Sequence, residues 1–300
     1  MGYLFILLPV VLFAFYVWVP MVRTIVLSFQ SDFDNPVFVS FDNYKAVFAD
    51  DGFLTALKNT FLYIFYSLAI GYLVPVLLGF LLSEVIHAKG LFRVLLYLPC
   101  MISGIAVVFL FKNLYSDEPY SILNVIVQAF GGQSRPWAGD INLIIPLIVL
   151  AMTWKGAGST ALIYLSSFQQ IDNSLYEASR MDGANPWQRF WRITIPCMKA
   201  TLLMLLALQI ISVFQVFYEP LVIGNKGGPL PNGSMSLMLL SYLYAFEDLE
   251  YAKSAATSVI LSLIILVFTI GYELLKRFLE GKGGAPNGKK SFAKGKKEQA

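Results

Sequence analysis

Few side chains in this 300-residue sequence have the types and spacing that enzymatic chemistry requires. His87 is the only histidine. It lies in a short connection beside Glu84 and Lys89, where we expect a solvated imidazole rather than a proton relay. No serine, histidine and aspartate arrangement and no pair of carboxylates stands out. Cys100 and Cys197 lie at or near apolar segments and predict neither a disulfide nor a metal site. These residues argue against an enzyme.

One stretch imitates a nucleotide-binding motif. Residues 283–289, GGAPNGK, have the spacing of a phosphate-binding loop, but the next residue is Lys290 instead of serine or threonine. The stretch also lies in a glycine- and lysine-rich tail, residues 281–300, which we expect to be disordered. We therefore predict no nucleotide site here, so any ATP must be hydrolysed by another chain.

Polar and aromatic side chains are concentrated in residues 174–196, SLYEASRMDGANPWQRFWRITIP. Ser174 followed three residues later by Glu177 is a capping-box pattern, which predicts a helix from about Leu175. Gly183 suits the position after the C-cap, where a positive φ is common. The pattern predicts a helix of about two turns that ends at this glycine.

A second short helix is predicted after the glycine. Asn185 suits its N-cap and Pro186 its first turn, where the missing N–H does no harm, and we expect Pro196 to close it. Three aromatic residues share one face, with two arginines turned away: Trp187, Phe190 and Trp191, then Arg189 and Arg192. The pattern indicates a helix–glycine–helix element at the cytoplasmic membrane surface. Composition alone leaves open that it is only a linker.

A single lysine interrupts an otherwise uncharged run over residues 141–171. A cation is expensive inside a membrane and usually faces a cavity or a partner, which makes Lys155 a candidate functional residue. The alternative is that it lies near the outer interface and extends its charge to water. Gly156 and Gly158 beside it would allow another helix to approach.

The segments that carry these residues are strongly apolar. Hydrophobic residues make up 57% of the chain and charged residues 14%, against roughly 25% charged in a soluble domain. Uncharged runs cover residues 1–22, 59–83, 94–111, 200–218 and 254–272 besides the one around Lys155, and each approaches the ~20 residues that a spanning helix needs. The sequence therefore predicts an all-α polytopic membrane protein with six spans, at roughly 3–23, 57–83, 92–112, 141–168, 198–222 and 255–277.

A seventh candidate, residues 227–246, is rejected. It opens with GGPLPNGS, which cannot stay helical. The remaining residues 234–246 are too few to span, so we expect a partly embedded or interfacial helix. Residues 1–280 would then form one transmembrane domain.

The basic residues set the orientation. With six spans and the N-terminus inside, the cytoplasmic parts hold 14 lysines and arginines and the external loops hold 7. We therefore expect a multi-pass membrane protein with both termini in the cytoplasm; the resemblance described below implies that the membrane is that of a bacterial cell. The first span lacks the cationic flank of a signal peptide, so we expect it to be retained.

The spacing of residues 177–196 closely resembles the EAA loop of permease subunits in binding-protein-dependent ABC importers. That pattern is Glu-Ala-Ala, three residues, Gly, nine residues and Ile-x-Leu-Pro, and this sequence departs from it mildly, at Ser179 and Ile195. In that family the first helix of the loop is a coupling helix that docks on a cytoplasmic ATPase. The resemblance implies that these residues couple the chain to an ATPase: Glu177, Ala178, Ser179, Asp182, Gly183, Ile193 and Pro196.

The resemblance extends along nearly the whole chain. Carbohydrate permeases of the larger maltose-permease type have similar segments in the same order: LLPVVLFAFYVWVPMVRTIVLSFQSDF, SFDNYKAVF, ALKNTFLY, LFRVLLYLPCMISGIAVVFLFKNLY, WKGAGSTALIYLSSFQQIDNSLYEAS and YLYAFEDLEYAKSAATSVILSLIILV. The last segment departs at AKSAA, where alanines with a glycine are commoner. We call residues 172–196 the EAA loop below.

The resemblance implies a fold, partners and a substrate class. The fold is the type I ABC importer transmembrane fold, with six spans and a cytoplasmic coupling helix. The partners are a sister permease in a heterodimer, two ATPase subunits that hold ATP and magnesium, and an extracytoplasmic solute-binding protein. It implies no cofactor on this chain and no nucleic acid. The substrate would be a sugar or oligosaccharide.

The same resemblance implies a substrate pathway. Five residues match positions that line the sugar pocket in that family: Lys155, Gly156, Ser159, Gln209 and Ser212. Hydroxyl and amide groups suit sugar hydroxyls. Polar side chains in the fifth span are more often helix–helix contacts, however, so this alternative stays open.

Two functions are alternatives to sugar import. The same subunit type also carries non-sugar polar solutes such as glycerol phosphate. A stand-alone secondary carrier would show internal repeats and ion-coupling acids at the membrane midplane. We see no repeat and expect no acid inside a span, which argues against a carrier.

Overall fold

The computed structural model describes residues 2–34, 36–85, 87–223 and 233–281. Within these ranges the chain is helical apart from turns, loops and one isolated β-bridge between Gln30 and Phe38. The predicted all-α membrane fold is confirmed. The phosphate-loop imitation at residues 283–289 lies outside the described residues.

Five helices in the described ranges are long and apolar enough to cross a bilayer. Two more, Lys89–Met101 and Gly104–Leu114, meet at 90° and make a sixth span if they are counted together. We number the spans along the chain, with this bent pair as span 3. The others are Ile6–Leu27 (span 1), Asp51–Glu84 (span 2), Ile144–Phe168 (span 4), Lys199–Ile223 (span 5) and Tyr251–Phe278 (span 6). All six predicted segments overlap these helices.

The bend departs from the straight helix predicted over residues 92–112. Ile102 and Ser103 have extended backbone, with ψ of 138° and 136°, so helical hydrogen bonding stops after Met101. The first half of span 3 lies directly against Gly158 of span 4, where a β-carbon would be 1.7 Å from the carbonyl oxygen of Leu96. Only glycine permits this approach. The expectation that residues 156–158 allow another helix to approach is confirmed at Gly158.

Span 2 contains a π-helical turn, Ser67–Tyr72. Pro75 has no N–H to donate to the carbonyl of Gly71 four residues earlier, which favours irregular helix there. Such turns often occur at functional sites. A β-carbon on Gly71 would lie 2.9 Å from Nε2 of Gln209, so this turn holds the backbone of span 2 close to span 5.

The helix Leu237–Phe246 is packed inside the protein. Ser236 caps it: its Oγ accepts a hydrogen bond from the N–H of Leu239 and donates one to the carbonyl of Val216. The N–H of Leu237 donates to Oγ1 of Thr60 in span 2 at 3.0 Å. The predicted short helix is confirmed, but it packs against span 2 rather than lying only in the membrane interface. Most of the GGPLPNGS segment before it lies outside the described residues.

Asp50 joins three helices at one end of the bundle. Its carboxylate caps span 2 by accepting from the N–H of Gly52 at 2.8 Å. It also accepts from Tyr244 Oη at 2.7 Å and Lys253 Nζ at 2.9 Å. Burial raises the pKa of Asp50, but the hydrogen bonds from Lys253, Tyr244 and Gly52 outweigh it, and the net pKa is lowered. Asp50 therefore stays ionised.

The chain divides into two compact units, residues 1–262 and 263–300. The described part of the second unit is the end of the long helix Tyr251–Gly281. Within it, Arg277 pairs with Glu273 one turn earlier. All the sites described below belong to the first unit.

Candidate functional site

A polar cavity of about 230 Å³ lies between spans 2, 4 and 5. Four of the five predicted pathway residues line it: Gly156, Ser159, Gln209 and Ser212. Their neighbours in the wall add further hydroxyl groups and a glycine: Ser67, Gly71, Thr153 and Thr160. The fold thus gathers polar groups from three spans at one place.

Hydrogen bonds fix the polar groups of this cavity. Gln209 Nε2 donates to Oγ of Ser67 at 2.5 Å, which connects spans 5 and 2. Ser159 and Thr160 both donate their hydroxyl protons to the carbonyl of Gly156 within their own helix. A hydroxyl that donates in this way keeps lone pairs that can accept. The cavity is therefore suited to a polar solute that carries hydroxyl donors.

Lys155 is not among the residues that line the cavity. It is half-buried on span 4, and a β-carbon placed on Gly104, where the second half of span 3 begins, would lie 4.0 Å from its Nζ. Glu219 lies within span 5, near its end. The expectation that no acid lies inside a span is therefore wrong.

Sequence reasoning missed part of this site. The sequence does not predict four of the lining residues, because a single serine, threonine or glycine in an apolar helix gives no signal of its own: Ser67, Gly71, Thr153 and Thr160. The Gly71–Pro75 pair was a usable signal, since it predicts irregular helix at that level of span 2.

The first helix of the EAA loop is Asn173–Met181, and it begins earlier than predicted. Its N-cap is Asp172, whose carboxylate accepts from the N–H of Ser174 at 2.9 Å. The predicted capping box of Ser174 and Glu177 is wrong, because aspartate caps as well as serine and lies two residues earlier. The hydrogen bond from Ser174 lowers the pKa of Asp172, which keeps the capping carboxylate ionised.

The turn at Gly183 is confirmed. The glycine has φ +75°, and no atom lies within 4 Å of where its β-carbon would be, so the constraint is on the backbone alone. Its N–H donates to the carbonyl of Arg180, and the N–H of Ala184 donates to the carbonyl of Ser179. These two bonds are a Schellman motif. The motif ends the helix after Met181.

The second half of the loop is also built locally. Asn185 and Gln188 form a reciprocal capping box around Pro186, as the Asn185 prediction required. The three aromatic rings contact one another, with centroid distances of 5.5 to 5.9 Å: Trp187, Phe190 and Trp191. A hydrogen bond of 2.9 Å between Tyr176 Oη and Thr194 Oγ1 joins the two halves of the loop.

Two expectations for this half are wrong. Arg189 is not turned away, because it is half-buried and lines a second cavity beside Phe190. Pro196 does not close the helix, since the backbone continues as a π-helical turn, Phe190–Thr194, into Ile195–Cys197. Proline is tolerated there because it lies at the beginning of a helical segment, where its missing N–H matters least.

The predicted coupling residues form two groups. Glu177 and Ala178 are exposed on the first helix, and Asp182 and Gly183 are exposed at its end. Ser179 is half-buried and donates its hydroxyl proton to the carbonyl of Tyr176. Of the remaining two, Ile193 is half-buried and Pro196 is exposed. The first group, Glu177, Ala178, Asp182 and Gly183, forms an exposed surface of charged and small residues.

This arrangement defines a class of protein. A helical membrane protein with a polar cavity among its spans, and with a folded polar loop between two of them, has the features of a membrane-spanning subunit of a transporter. The sequence profile of binding-protein-dependent transport system inner membrane components matches residues 67–281. The chain belongs to that family, and its resemblance to permease subunits is confirmed.

Individual relatives agree with this assignment. The arabinooligosaccharides transport system permease protein AraP of Bacillus subtilis is 31% identical, over 94% of this chain and 90% of that protein. The lactose transport system permease protein LacF of Rhizobium radiobacter is 29% identical, over 92% and 94%. A chain from the crystal structure of a bacterial ABC transporter involved in the import of the acidic polysaccharide alginate superimposes with a TM-score of 0.83, at 23% identity over 92% and 94%. The fold is therefore that of this importer's membrane chain.

Proposed function

We propose that this protein forms half of the translocation pathway for a sugar or oligosaccharide in an ATP-driven importer. It would pair with a sister permease, receive the sugar from an extracytoplasmic binding protein, and be driven by two cytoplasmic ATPase subunits that bind ATP and magnesium. Both termini would lie in the cytoplasm. Relatives named for arabino-oligosaccharide and lactose transport support the substrate class.

The cavity between spans 2, 4 and 5 is the observation that carries this proposal. Sugars offer many hydroxyl groups that both donate and accept hydrogen bonds, and the cavity wall offers hydroxyl and amide groups from three helices. A contact between two helices needs only one such pair. Four pathway positions that face one space are better explained by a solute than by helix packing.

The EAA loop supports the coupling part of the proposal. Its first helix is capped at both ends by its own residues and presents Glu177 and Ala178 outward. A rigid, exposed helix can transmit a push from a docked partner without unfolding. Glu177 would face a basic group of the ATPase, and Gly183 would keep the helix end at a fixed angle to the following segment.

Two glutamines of span 5, Gln209 and Gln215, form a matched pair that tests the pathway. Gln209 lines the cavity, whereas Gln215 is exposed, lies outside the cavity lining and donates to the carbonyl of Ile211. We expect Gln209→Leu to lose the bond to Ser67 and to weaken sugar transport by about tenfold, as a lost polar contact of about 1.4 kcal/mol would. Gln215→Leu should have little effect.

Transport should be measured in proteoliposomes that contain the complete importer. The panel would include arabino-oligosaccharides, lactose and glycerol phosphate. Equal transport by Gln209→Leu and wild type across the panel would contradict the pathway assignment. Transport of glycerol phosphate alone would overturn the sugar assignment and keep the importer.

A further inference from the structure

A second cavity, of about 520 Å³, lies where the ends of spans 2 and 4 meet the EAA loop. Span 2 contributes Glu84 and span 4 contributes Phe168, which are the last residues of these helices. The loop contributes two arginines, Arg180 and Arg189, together with polar groups such as the hydroxyl of Tyr176. The cavity is separate from the one among the spans and shares no residue with it.

The charges of this cavity are not balanced within the described residues. Arg180, which is exposed, and Arg189, which is half-buried, line the cavity together with one carboxylate, Glu84, and neither arginine forms an ion pair with Glu84 or with any other described acid. The Nε of Arg189 is buried and has no hydrogen-bond partner there. A buried donor without an acceptor is costly, and native proteins rarely keep one. This N–H therefore calls for an acceptor, and the two arginines around the cavity favour an anionic one.

Guanidinium groups select the kind of anion. Their planar fork of N–H donors matches the oxygens of phosphate and carboxylate groups. The volume exceeds what a single inorganic ion fills, and the polar side chains around it can bond to several oxygens. Tyr176 and Thr194 are already bonded to each other, so they form a preorganised wall rather than a mobile one.

The surroundings indicate where the anion comes from. Trp187 and Trp191 are 68% and 53% exposed beside the cavity, and Trp187 stacks on Phe190, which lines it. Exposed tryptophans next to arginines are typical of the membrane–water interface. The ends of spans 2 and 4 lie at the same place, and the end of a spanning helix is where lipid headgroups are expected. The distribution of basic residues assigns this end to the cytoplasm, where the leaflet is anionic.

We propose that Arg180 and Arg189 bind the phosphate of an anionic phospholipid in this cavity. The phosphate oxygens accept from both guanidinium groups, including the buried Nε–H of Arg189. The acyl chains leave past Trp187 and Trp191 into the bilayer. A bound lipid would brace the EAA loop against the ends of spans 2 and 4. The proposal goes beyond transport, because it holds whatever solute the protein carries.

The test compares two arginine variants in the assembled, full-length importer. Arg192 lies in the same loop, is exposed and is not part of the cavity wall, so Arg192→Gln is the matched control for the double variant Arg180→Gln/Arg189→Gln. Delipidated complexes are titrated with phosphatidylglycerol or phosphatidylcholine, and bound lipids are counted by native mass spectrometry. We expect wild type and Arg192→Gln to retain phosphatidylglycerol in preference to phosphatidylcholine. The double variant should bind phosphatidylglycerol about tenfold more weakly.

Further arms separate lipid from other anions. Phosphatidylglycerol should raise the Tm of wild type and not that of the double variant. The unfolding transition recorded for the double variant also shows that it is folded. Equal phosphatidylglycerol binding by the double variant and Arg192→Gln would overturn the site. Protection of wild type by inorganic phosphate but not by the lipid would overturn the lipid as its source. Retention of the lipid by the permease pair alone, but not by the importer that contains the ATPase subunits, would show that an acidic group of the ATPase occupies the cavity instead.

Discussion

The EAA loop and the cavity among the spans are built in opposite ways. In the loop, the hydrogen bonds that determine the shape join residues at most 18 positions apart, such as Tyr176 and Thr194. In the cavity, Ser67 and Gln209 are bonded across 142 positions. The loop is therefore encoded by caps and a glycine turn. The cavity depends on how three helices pack. The two regions should respond differently to substitution.

The largest effect is expected where packing leaves no space. Gly158→Ala would put a β-carbon 1.7 Å from the carbonyl oxygen of Leu96, which forces span 3 away from span 4. We expect a loss of about 3 kcal/mol or more in unfolding free energy and little assembled protein in the membrane. The measurement is the amount and the Tm of the purified complex.

The control for this prediction lies two residues earlier. Gly156 lines the polar cavity, and no atom lies within 4 Å of where its β-carbon would be. Gly156→Ala should therefore leave the Tm unchanged or slightly higher, because alanine favours the helix. Equal destabilisation by both alanines would show that helix propensity, not the close approach of span 3, governs this segment.

The next effect is local to the loop. Gly183 has φ +75° with open space around it, so only backbone conformation resists substitution. Gly183→Val should cost about 2 kcal/mol, whereas Gly183→Asn, which tolerates this conformation, should cost less than about 1 kcal/mol. We expect the valine variant to reach the membrane and pair with the sister permease, yet to lose ATPase binding.

Co-purification of the ATPase and sugar-stimulated ATP hydrolysis in proteoliposomes measure this loss. Glu177→Ala should be milder, since it removes one exposed charge and leaves the turn intact. Wild-type values for Gly183→Val in both assays would mean that the loop is only a linker. That result would separate the local fold of the loop from its proposed coupling role.

Asp50 has a local partner, the N–H of Gly52, and two distant ones, Tyr244 and Lys253. Asp50→Asn keeps the helix cap but removes the charge facing Lys253, and Asp50→Ala removes both. We therefore expect losses of about 1 and about 2 kcal/mol respectively. Because the pKa of Asp50 is lowered in the folded state, its contribution is complete above its ordinary value of 3.8 and is lost as pH falls through the lowered pKa.

The pH dependence of Tm tests whether the pKa of Asp50 is lowered in the folded state. The Tm difference between wild type and Asp50→Asn should be constant near neutral pH and should shrink only below about pH 3.8. A difference that shrinks between pH 5 and 7 would contradict an ionised, hydrogen-bonded Asp50. Glu250 also pairs with Lys253, at 3.2 Å, and partly compensates in the asparagine variant.

The smallest effect distinguishes two caps of the same helix. Asp172→Ala should destabilise the helix Asn173–Met181 measurably, because the carboxylate is its N-cap. Ser174→Ala should change it by no more than a few tenths of a kcal/mol. Backbone hydrogen exchange in residues 173–181 measures both. A larger effect of Ser174→Ala would restore the capping box that the sequence suggested.

Particular residues show how far sequence reasoning reached into the site. Gly183, Asn185 and Pro186 were placed correctly, since each signals its role through its own backbone chemistry. The helix start was misplaced by two residues, because Asp172 and Ser174 are both good caps and only geometry selects one. Arg189 was misplaced as well, because the predicted helix continues through a π-helical turn that propensities do not reveal.

The sequence by itself determined the membrane class, the spans and the chemistry of the EAA loop, because hydropathy, charge bias and caps act over short stretches of chain. The tertiary structure alone decided the bend of span 3 and brought Ser67, Thr153 and Gln209 together in one cavity. These features depend on which helix faces which, and in an apolar helix nearly every face looks alike. Close packing at Gly71 and Gly158, rather than any local pattern, selects the faces that meet.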